Sequence, residues 1–427
     1  MHYITNYRLP TPDYQLLTNQ LKTMSNLPDV SINYLDGQLG GAGFSNDGVA
    51  AMLLSGVAVP LSGDAGFDLG VVIGPFFGIK DVQKKGITAE YDTSHSLKVY
   101  AHCVDFYRQA GEGAELYLML APKTVTMAEM LDTAGNYAPN LLNQKQGNIK
   151  LLGVGRVPDV AYTASPSEEL DPDVLAALAN AQILINAQQT LHQPVQVIIE
   201  GRDFQGNASA VSNLRTQTAN RVSVCLGWHD ESYEGSWLGL VLGKVAGVPV
   251  QRNIGRVKDG DLGIQQAYIV TAATPKKTVE QYGQGNLNLL HQRGYIVPRS
   301  FANRAGYYLN GDPVAIALTT DYNSIGRGRV ADKVARIAYN VYVQELLDDF
   351  QLEQGKLPVA KVKAFEQDIK KALDLQMTNN GEVSSVTPLI DPEQDVIATA
   401  ELKVKIDIEP VGMAQKITID LGFVNPG

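Results

Sequence analysis

Four stretches of this sequence carry residue types that act as catalysts or phosphate cradles in other proteins. WHDESYEG, residues 228–235, brings His229, Asp230 and Glu231 together directly after an apolar run, where an α/β enzyme holds acid and base groups. No GxSxG elbow accompanies them and adjacent side chains often point apart, so a polar loop is the simpler reading. GLVLGK, residues 239–244, resembles a phosphate-binding loop only in outline. It has three residues rather than four between its glycines, and Val245 stands where Mg²⁺ needs a Ser or Thr hydroxyl. A packed small-residue helix is expected there. GGAGFSNDG (40–48) and GVGRVP (153–158) likewise lack the strand, three spaced glycines and following helix of a dinucleotide site.

RGYIVPRSFANRAGYYLNGDP, 293–313, followed by DYNSIGRGRVADKVARIAYN, 321–340, has the strongest claim to a role. Asp312, Asp321, Arg327, Arg329, Asp332 and Arg336 supply two or three ion pairs, either within this surface or to another one, because guanidinium forks match carboxylates. No nucleophile, base and orienting group occur in order here. Asp321 and Asn323 also have the side chains of helix N-caps ahead of Val330. The six histidines form no HExxH pair and sit beside no CxxC, and His95 with His102, seven apart, lacks a local carboxylate or thiolate. Neither a metal nor an organic cofactor is expected.

The elements that would position these residues follow from periodicity. Asp92, Thr93 and Ser94 offer caps for a helix carrying Leu97, Ala101, Val104 and Tyr107, stopped by Gly111. Apolar runs at 114–121, 149–155, 195–201 and 221–227 read as buried strands, and Asp171-Pro172 opens a helix in the position where proline's missing N–H costs nothing. Strands alternating with helices predict an α/β domain, within a chain that is α+β overall. Further on, Val330, Val334, Ile337 and Val341 share one face of a helix expected over 327–350. A second helix, 358–377, carries Lys361, Lys363, Lys370 and Lys371. The tail has the clearest period: Val396, Ala398, Ala400, Leu402, Val404, Ile406 and Ile408 alternate with polar residues, and Ile417, Ile419, Leu421 and Phe423 repeat the pattern. A long terminal β-pair over 395–423 is expected. The divisions expected are an extended arm and loop (1–46), the α/β domain (47–272) and a helix-and-strand core (273–427).

The 427 residues suffice for two or three domains, and 44% apolar with 19% charged residues is ordinary for a folded chain. A formal net charge of −10 argues against a broad nucleic-acid surface, which rests on Lys and Arg. Cys103 and Cys225 both fall in apolar segments, so no disulfide framework is indicated. The opening MHYITNYRLPTPDYQ has neither the basic nor the apolar region of a secretory signal, and the weakly polar run 48–61 is too short and broken to span a bilayer. A chain folded in the cytoplasm, without membrane insertion, is expected.

The succession GYIVPRSF, AGYYLNGDPVAIA, DYNSIGRGRVADKVARIAYNVYVQELL, a Lys-rich helix and ELKVKIDIEPVGMAQKITIDLGF resembles the C-terminal core of contractile-tail sheath proteins of bacteriophages and related injection systems. HSLKVYAHCVDFYRQAGEGAELYLMLAP and RVSVCLGWHDESYEGSWLGLVLGKVAGVPV look like earlier parts of the same pattern. The likeness spans about 92–423, continuously only from about 294 onward, and is an order of elements rather than an invariant signature; the PGVY-like opening of many sheaths is missing. The short, divergent sheath-like group fits best. The resemblance implies a non-catalytic assembly subunit, stacked as six-membered rings around an inner tail tube, with baseplate and tail terminator as further partners, in a virion tail or injection particle assembled in the bacterial cytoplasm. It also implies that terminal strands, here those carrying Val396 to Ile408 and Ile417 to Phe423, pair with sheets of neighbouring subunits, and deleting 395–427 is expected to leave a soluble α/β domain that forms no tubes. The lysines of 358–377 are candidates for facing the tube. Two alternatives stand beside this reading: another phage component such as a tube or baseplate protein, and an α/β enzyme with a site near 228–235.

Overall fold

Short apolar runs lay down the central sheet. Ala50–Ser55 (β1), Leu116–Ala121 (β3), Leu151–Val154 (β4), Gln196–Glu200 (β5) and Val222–Cys225 (β6) are buried at every position. Burial without alternation is what a parallel sheet covered on both faces requires. Val72–Phe76 (β2) adds an antiparallel edge beside β3, giving the order β2-β3-β1-β4-β5-β6. Ala50 lies opposite Leu116 on one side and Leu151 on the other, and Val197 lies opposite Val222. The computed structural model describes residues 46–272, 275–346, 348–349, 351–353, 356–396 and 401–423.

The helices cover this sheet. The single helix expected from Asp92 to Gly111 is two: Ala89–His95, then Val99–Ala110 (α1), separated by Ser96 in the left-handed region at φ 51°. Asp92 explains the break, because its carboxylate accepts the Ala101 N–H at 3.0 Å and so caps the second helix from within the first. Pro172–Thr190 (α2) starts as expected, with Asp171 accepting the Asp173 N–H at 3.0 Å. Leu238–Ala246 (α3) contains the GLVLGK stretch and is almost wholly buried. Its glycines let it lie on α1, since a Cβ at Gly239 or Gly243 would overlap the backbone carbonyl of His102 or Phe106. Cys103 and Cys225 are buried free thiols.

The GYIVPRSF and AGYYLNGDP segments are core strands. Tyr295, Ile296 and Val297 are fully buried, and Ile296 exchanges backbone hydrogen bonds with Val224 and Leu226 beside β6. Pro298–Phe301 (β7) then turns back on Arg304–Leu309 (β8). Ile325–Tyr342 (α4) is shorter than the expected 327–350 and ends before Val343–Glu345, one tighter turn. Val359–Leu373 (α5) closes with a wide turn at Asp374–Thr378.

A terminal strand pair is present with a different partner from the one expected. Val404–Pro410 (β10) pairs antiparallel with Val383–Ile390 (β9), Ile390 opposite Val404 and Val386 opposite Ile408. The expected alternation survives: Val404, Ile406 and Ile408 are half-buried and their neighbours exposed. Ile406 and Ile408 pack on Val330, Val334, Ile369 and Leu373, and Val396, Leu402 and Val404 pack on Val362, Phe365 and Ile390. Ala398 and Ala400 lie outside the described residues. Among the described residues no helix is long and apolar enough to cross a membrane.

Candidate assembly interface

Among the described residues, 417–423 present the most exposed apolar run. Ile417, Ile419, Leu421 and Phe423 are 78%, 74%, 93% and 109% exposed, and residues 411–423 form no regular element. Isolated exposed apolar residues are ordinary, but four at a spacing of two would share one face if the segment were extended as a strand. The nearby β9–β10 pair is two-stranded, so each strand keeps one edge of backbone donors and acceptors outside the pair. Of the residues expected to link subunits, Val396, Leu402, Val404, Ile406 and Ile408 already pack within the chain, and Ile417, Ile419, Leu421 and Phe423 are exposed.

The arginines and aspartates near α4 work by a different logic from a cluster. Arg329, Asp332 and Arg336 pair with distant segments rather than with one another. Asp332 receives Arg221 through Nε at 3.1 Å and Nη2 at 3.1 Å, and Gln196 Nε2 at 2.9 Å, which ties α4 to the amino ends of β5 and β6. Arg336 reaches Asp47 at 2.6 Å, and Lys333 bridges Asp47 at 2.7 Å and Glu382 at 2.8 Å. Arg329, 5% exposed, donates to the carbonyls of Val245 at 2.9 Å, Val248 at 3.2 Å and Asp47 at 3.2 Å. Among these is the carbonyl of Val245 in the last turn of α3, which has no intrahelical donor. Burial lowers the Arg329 pKa to about 10, against the pull of Asp47.

Asp312 closes the Asn-Gly-Asp turn onto α4. Its carboxylate accepts the Gly326 N–H at 2.9 Å and the Asn253 amide, and its carbonyl accepts the Ile325 N–H at 2.9 Å. Burial raises its pKa to about 6, opposed by those donors. The N-cap itself is Ser324, which accepts the Arg327 N–H at 3.3 Å, rather than Asp321 or Asn323. Asp321 offers only its carbonyl, to Arg327 at 3.3 Å. Asn323 bonds the Leu318 carbonyl at 2.7 Å.

On α5, Lys361 lies 3.7 Å from Glu345, Lys363 2.6 Å from Glu366 and Lys370 3.1 Å from Asp374, while Lys371 is exposed. These are exposed or half-exposed pairs of the kind that fix little.

The carboxyl edge of the sheet holds a polar hub that the sequence did not announce. Glu200, fully buried at the end of β5, accepts from Tyr233 Oη at 2.5 Å, Ser236 N–H at 3.1 Å and Arg156 N–H at 2.8 Å. Burial raises its pKa, with Arg202 opposing. His102 Nδ1 accepts the Gly239 N–H at 3.3 Å, and burial lowers its pKa to about 3. His229, singled out in the 228–235 loop, bonds Asp105 at 2.7 Å, while Asp230 takes Ser232 and Lys98. The loop therefore does sit where α/β enzymes place catalytic groups, with His229 and Asp230 engaged by their neighbours. A crevice of about 530 Å³ lies beside it, lined by Asp92, Lys98, Tyr100, Arg202, Ser232 and Glu234. No group of three His, Cys, Asp or Glu side chains among the described residues is arranged to hold a metal.

Family models described as DUF2586, N-terminal domain, and DUF2586, C-terminal domain, match residues 27–312 and 321–427. The chain belongs to the DUF2586 family. No curated protein sequence matches this DUF2586 chain. Among solved structures, it is similar to a chain of the anti-feeding prophage helical sheath in its contracted state, at 13% identity and TM-score 0.57 over 93% of this chain and 99% of that one. A chain from the anti-feeding prophage baseplate gives 15% identity and TM-score 0.56 over 93% and 99%. A chain of the contracted PVC sheath complex, from an extracellular contractile injection system, gives 12% and 0.53 over 94% and 98%. At these identities the likeness establishes that the DUF2586 chain has the sheath-protein fold along nearly its whole length, as the element order in the sequence led one to expect.

Proposed function

We propose that this protein is the structural subunit of a contractile sheath, polymerising as stacked rings around an inner tube and contracting to drive that tube through a target envelope. The observation that carries this reading is the exposed alternating run Ile417, Ile419, Leu421 and Phe423 in a chain with the sheath fold. Such a run is an aggregation hazard unless a partner receives it, and strand addition to a sheet edge supplies main-chain hydrogen bonds and side-chain register together. A neighbouring copy's β9–β10 pair offers edges of the required kind. Contraction would then exchange one set of subunit contacts for another while the strand links persist.

The subunit has no catalytic activity in this reading. Its partners are further copies of itself in hexameric rings, an inner tube protein, a baseplate and a terminator, and it resides in a tail or injection particle after assembly in the bacterial cytoplasm. Lys361, Lys363, Lys370 and Lys371 would face the tube; unchanged tube association after charge reversal at Lys363 and Lys370 would remove that part. For domain organisation we propose an arm, an α/β domain and a helix-and-hairpin module. The attachment of Ile296 beside β6 and the family-model break between 312 and 321 favour a junction at the Asn-Gly-Asp turn over one at 272/273.

The deciding experiment is negative-stain microscopy of the purified full chain beside a variant with Ile417, Ile419, Leu421 and Phe423 replaced by Thr. Striated tubes from the parent and folded, unassembled variant are expected. Normal tubes from the variant would sink the strand-linking idea, and thin unstriated tubes from the parent would favour a tube protein instead. The variant is cleaner than deleting 395–427, which also removes β10 and uncovers the apolar faces of α4 and α5.

A further inference from the structure

We infer that the carboxyl edge of the parallel sheet binds one internal water molecule, held jointly by Ser55 Oγ, His102 Nε2 and Arg156 Nε. Ser55 ends β1, Arg156 follows β4 by two residues and His102 projects from α1, and all three line one small cavity together with Tyr233. The three side chains are 2%, 2% and 4% exposed. Each presents an atom, Ser55 Oγ, His102 Nε2 and Arg156 Nε, that finds no hydrogen-bond partner among the described residues. Burying three such groups unmet is costly, and native chains avoid it.

The protonation pattern fits one water. Because the Gly239 N–H donates to Nδ1 of His102, that nitrogen is unprotonated and Nε2 carries the hydrogen. The Glu200 carboxylate is 3.8 Å from Nε2, too far to accept it directly. A water accepts from His102 Nε2–H and Arg156 Nε–H and donates to the Ser55 hydroxyl, which rotates to suit. The cavity admits the centre of a water molecule over about 10 Å³, room for one water and no larger ligand. Three partners is also the usual number for an internal water.

Two donors and a hydroxyl could instead surround a halide, and the test separates the two. A crystal structure of the full chain, at a resolution that shows ordered water, is expected to place one peak within hydrogen-bond distance of all three atoms. Soaking in bromide is expected to leave no anomalous signal there. The Ser55→Val variant, whose side chain fills the space, is expected to lose the peak while keeping the fold. An empty cavity or a bromide site in the parent protein overturns the inference whatever the variant does. In solution, the Nε2 proton of His102 should show a cross-peak to a long-lived water, and its absence counts against the site equally.

Discussion

Arg336 Nη2 lies 2.6 Å from Asp47 Oδ1, across 289 positions of the chain. With Lys333 and Glu382 this contact ties the segment before β1, the middle of α4 and the start of β9 into one charged strap. Its members are largely screened from water, so removing one leaves a charge without its compensation. Arg336→Ala and Asp47→Ala should each cost about 1–3 kcal/mol in urea unfolding. A double-mutant cycle should give a coupling above about 0.5 kcal/mol. Additive losses would mean that the pair is incidental.

Arg329 should be irreplaceable by lysine. Its fork reaches carbonyls on four residues, and one ammonium cannot reproduce that spread. Arg329→Lys is expected to lower the unfolding free energy by about 2–4 kcal/mol, with Arg329→Met no better. A melting temperature unchanged in the lysine variant would refute the capping role.

His102 makes the fold acid-sensitive. Its folded pKa of about 3 lies below the ordinary 6.5, so in that interval the unfolded chain binds a proton that the native one refuses. Stability from this group is complete above pH 6.5 and is lost as pH falls towards 3, by up to about 5 kcal/mol. Glu200, Tyr233, His229 and Lys98 surround it, so the comparison must be between variants rather than between pH values alone. His102→Asn, which keeps an acceptor for Gly239, should flatten the pH dependence of the urea midpoint between pH 4.5 and 7. An unchanged slope would show that other groups govern it.

Asp312 acts with the opposite sign. Its folded pKa of about 6 exceeds the ordinary 3.8, so the native state holds the proton longer and stability declines as pH rises through that interval. Asp312→Asn retains an acceptor for Gly326 and should match or exceed the parent's stability at pH 7. A loss at pH 7 would show that the carboxylate's charge is used at the start of α4.

Gly243→Ala should cost about 1–3 kcal/mol by forcing α3 away from the Phe106 carbonyl of α1, whereas Gly285→Ala, where an added Cβ meets nothing, should be close to neutral. Equal melting temperatures for the two would contradict the close helix contact.

How much of this was legible beforehand differs by element. The buried strands and the Asp171-Pro172 helix start could be read because apolar runs and caps are local signals. The pairing of β10 could not, because alternation specifies which face is buried and leaves the neighbouring strand open; β9, with Pro388 and two serines, has a weaker pattern than 417–423. Near α4 the residue types were visible and the partners were not: Arg221, Asp47 and the carbonyls around Val245 lie 80 or more residues away. The hub went unread because its members come from separate segments. One signal was there: Ser55, Arg156 and Glu200 are the polar residues that end, or closely follow, three apolar runs, which a parallel sheet brings to one edge.

The unpaired run 417–423 and the two open edges of the β9–β10 pair have a consequence for counting. If the run is received by the β9–β10 edge of a neighbouring copy, as proposed, copies join head to tail, and every copy added presents a new unmet surface at the growing end. No contact described within the subunit marks a last member of such a series. The length of the polymer would therefore have to be measured by something other than the protein that builds it.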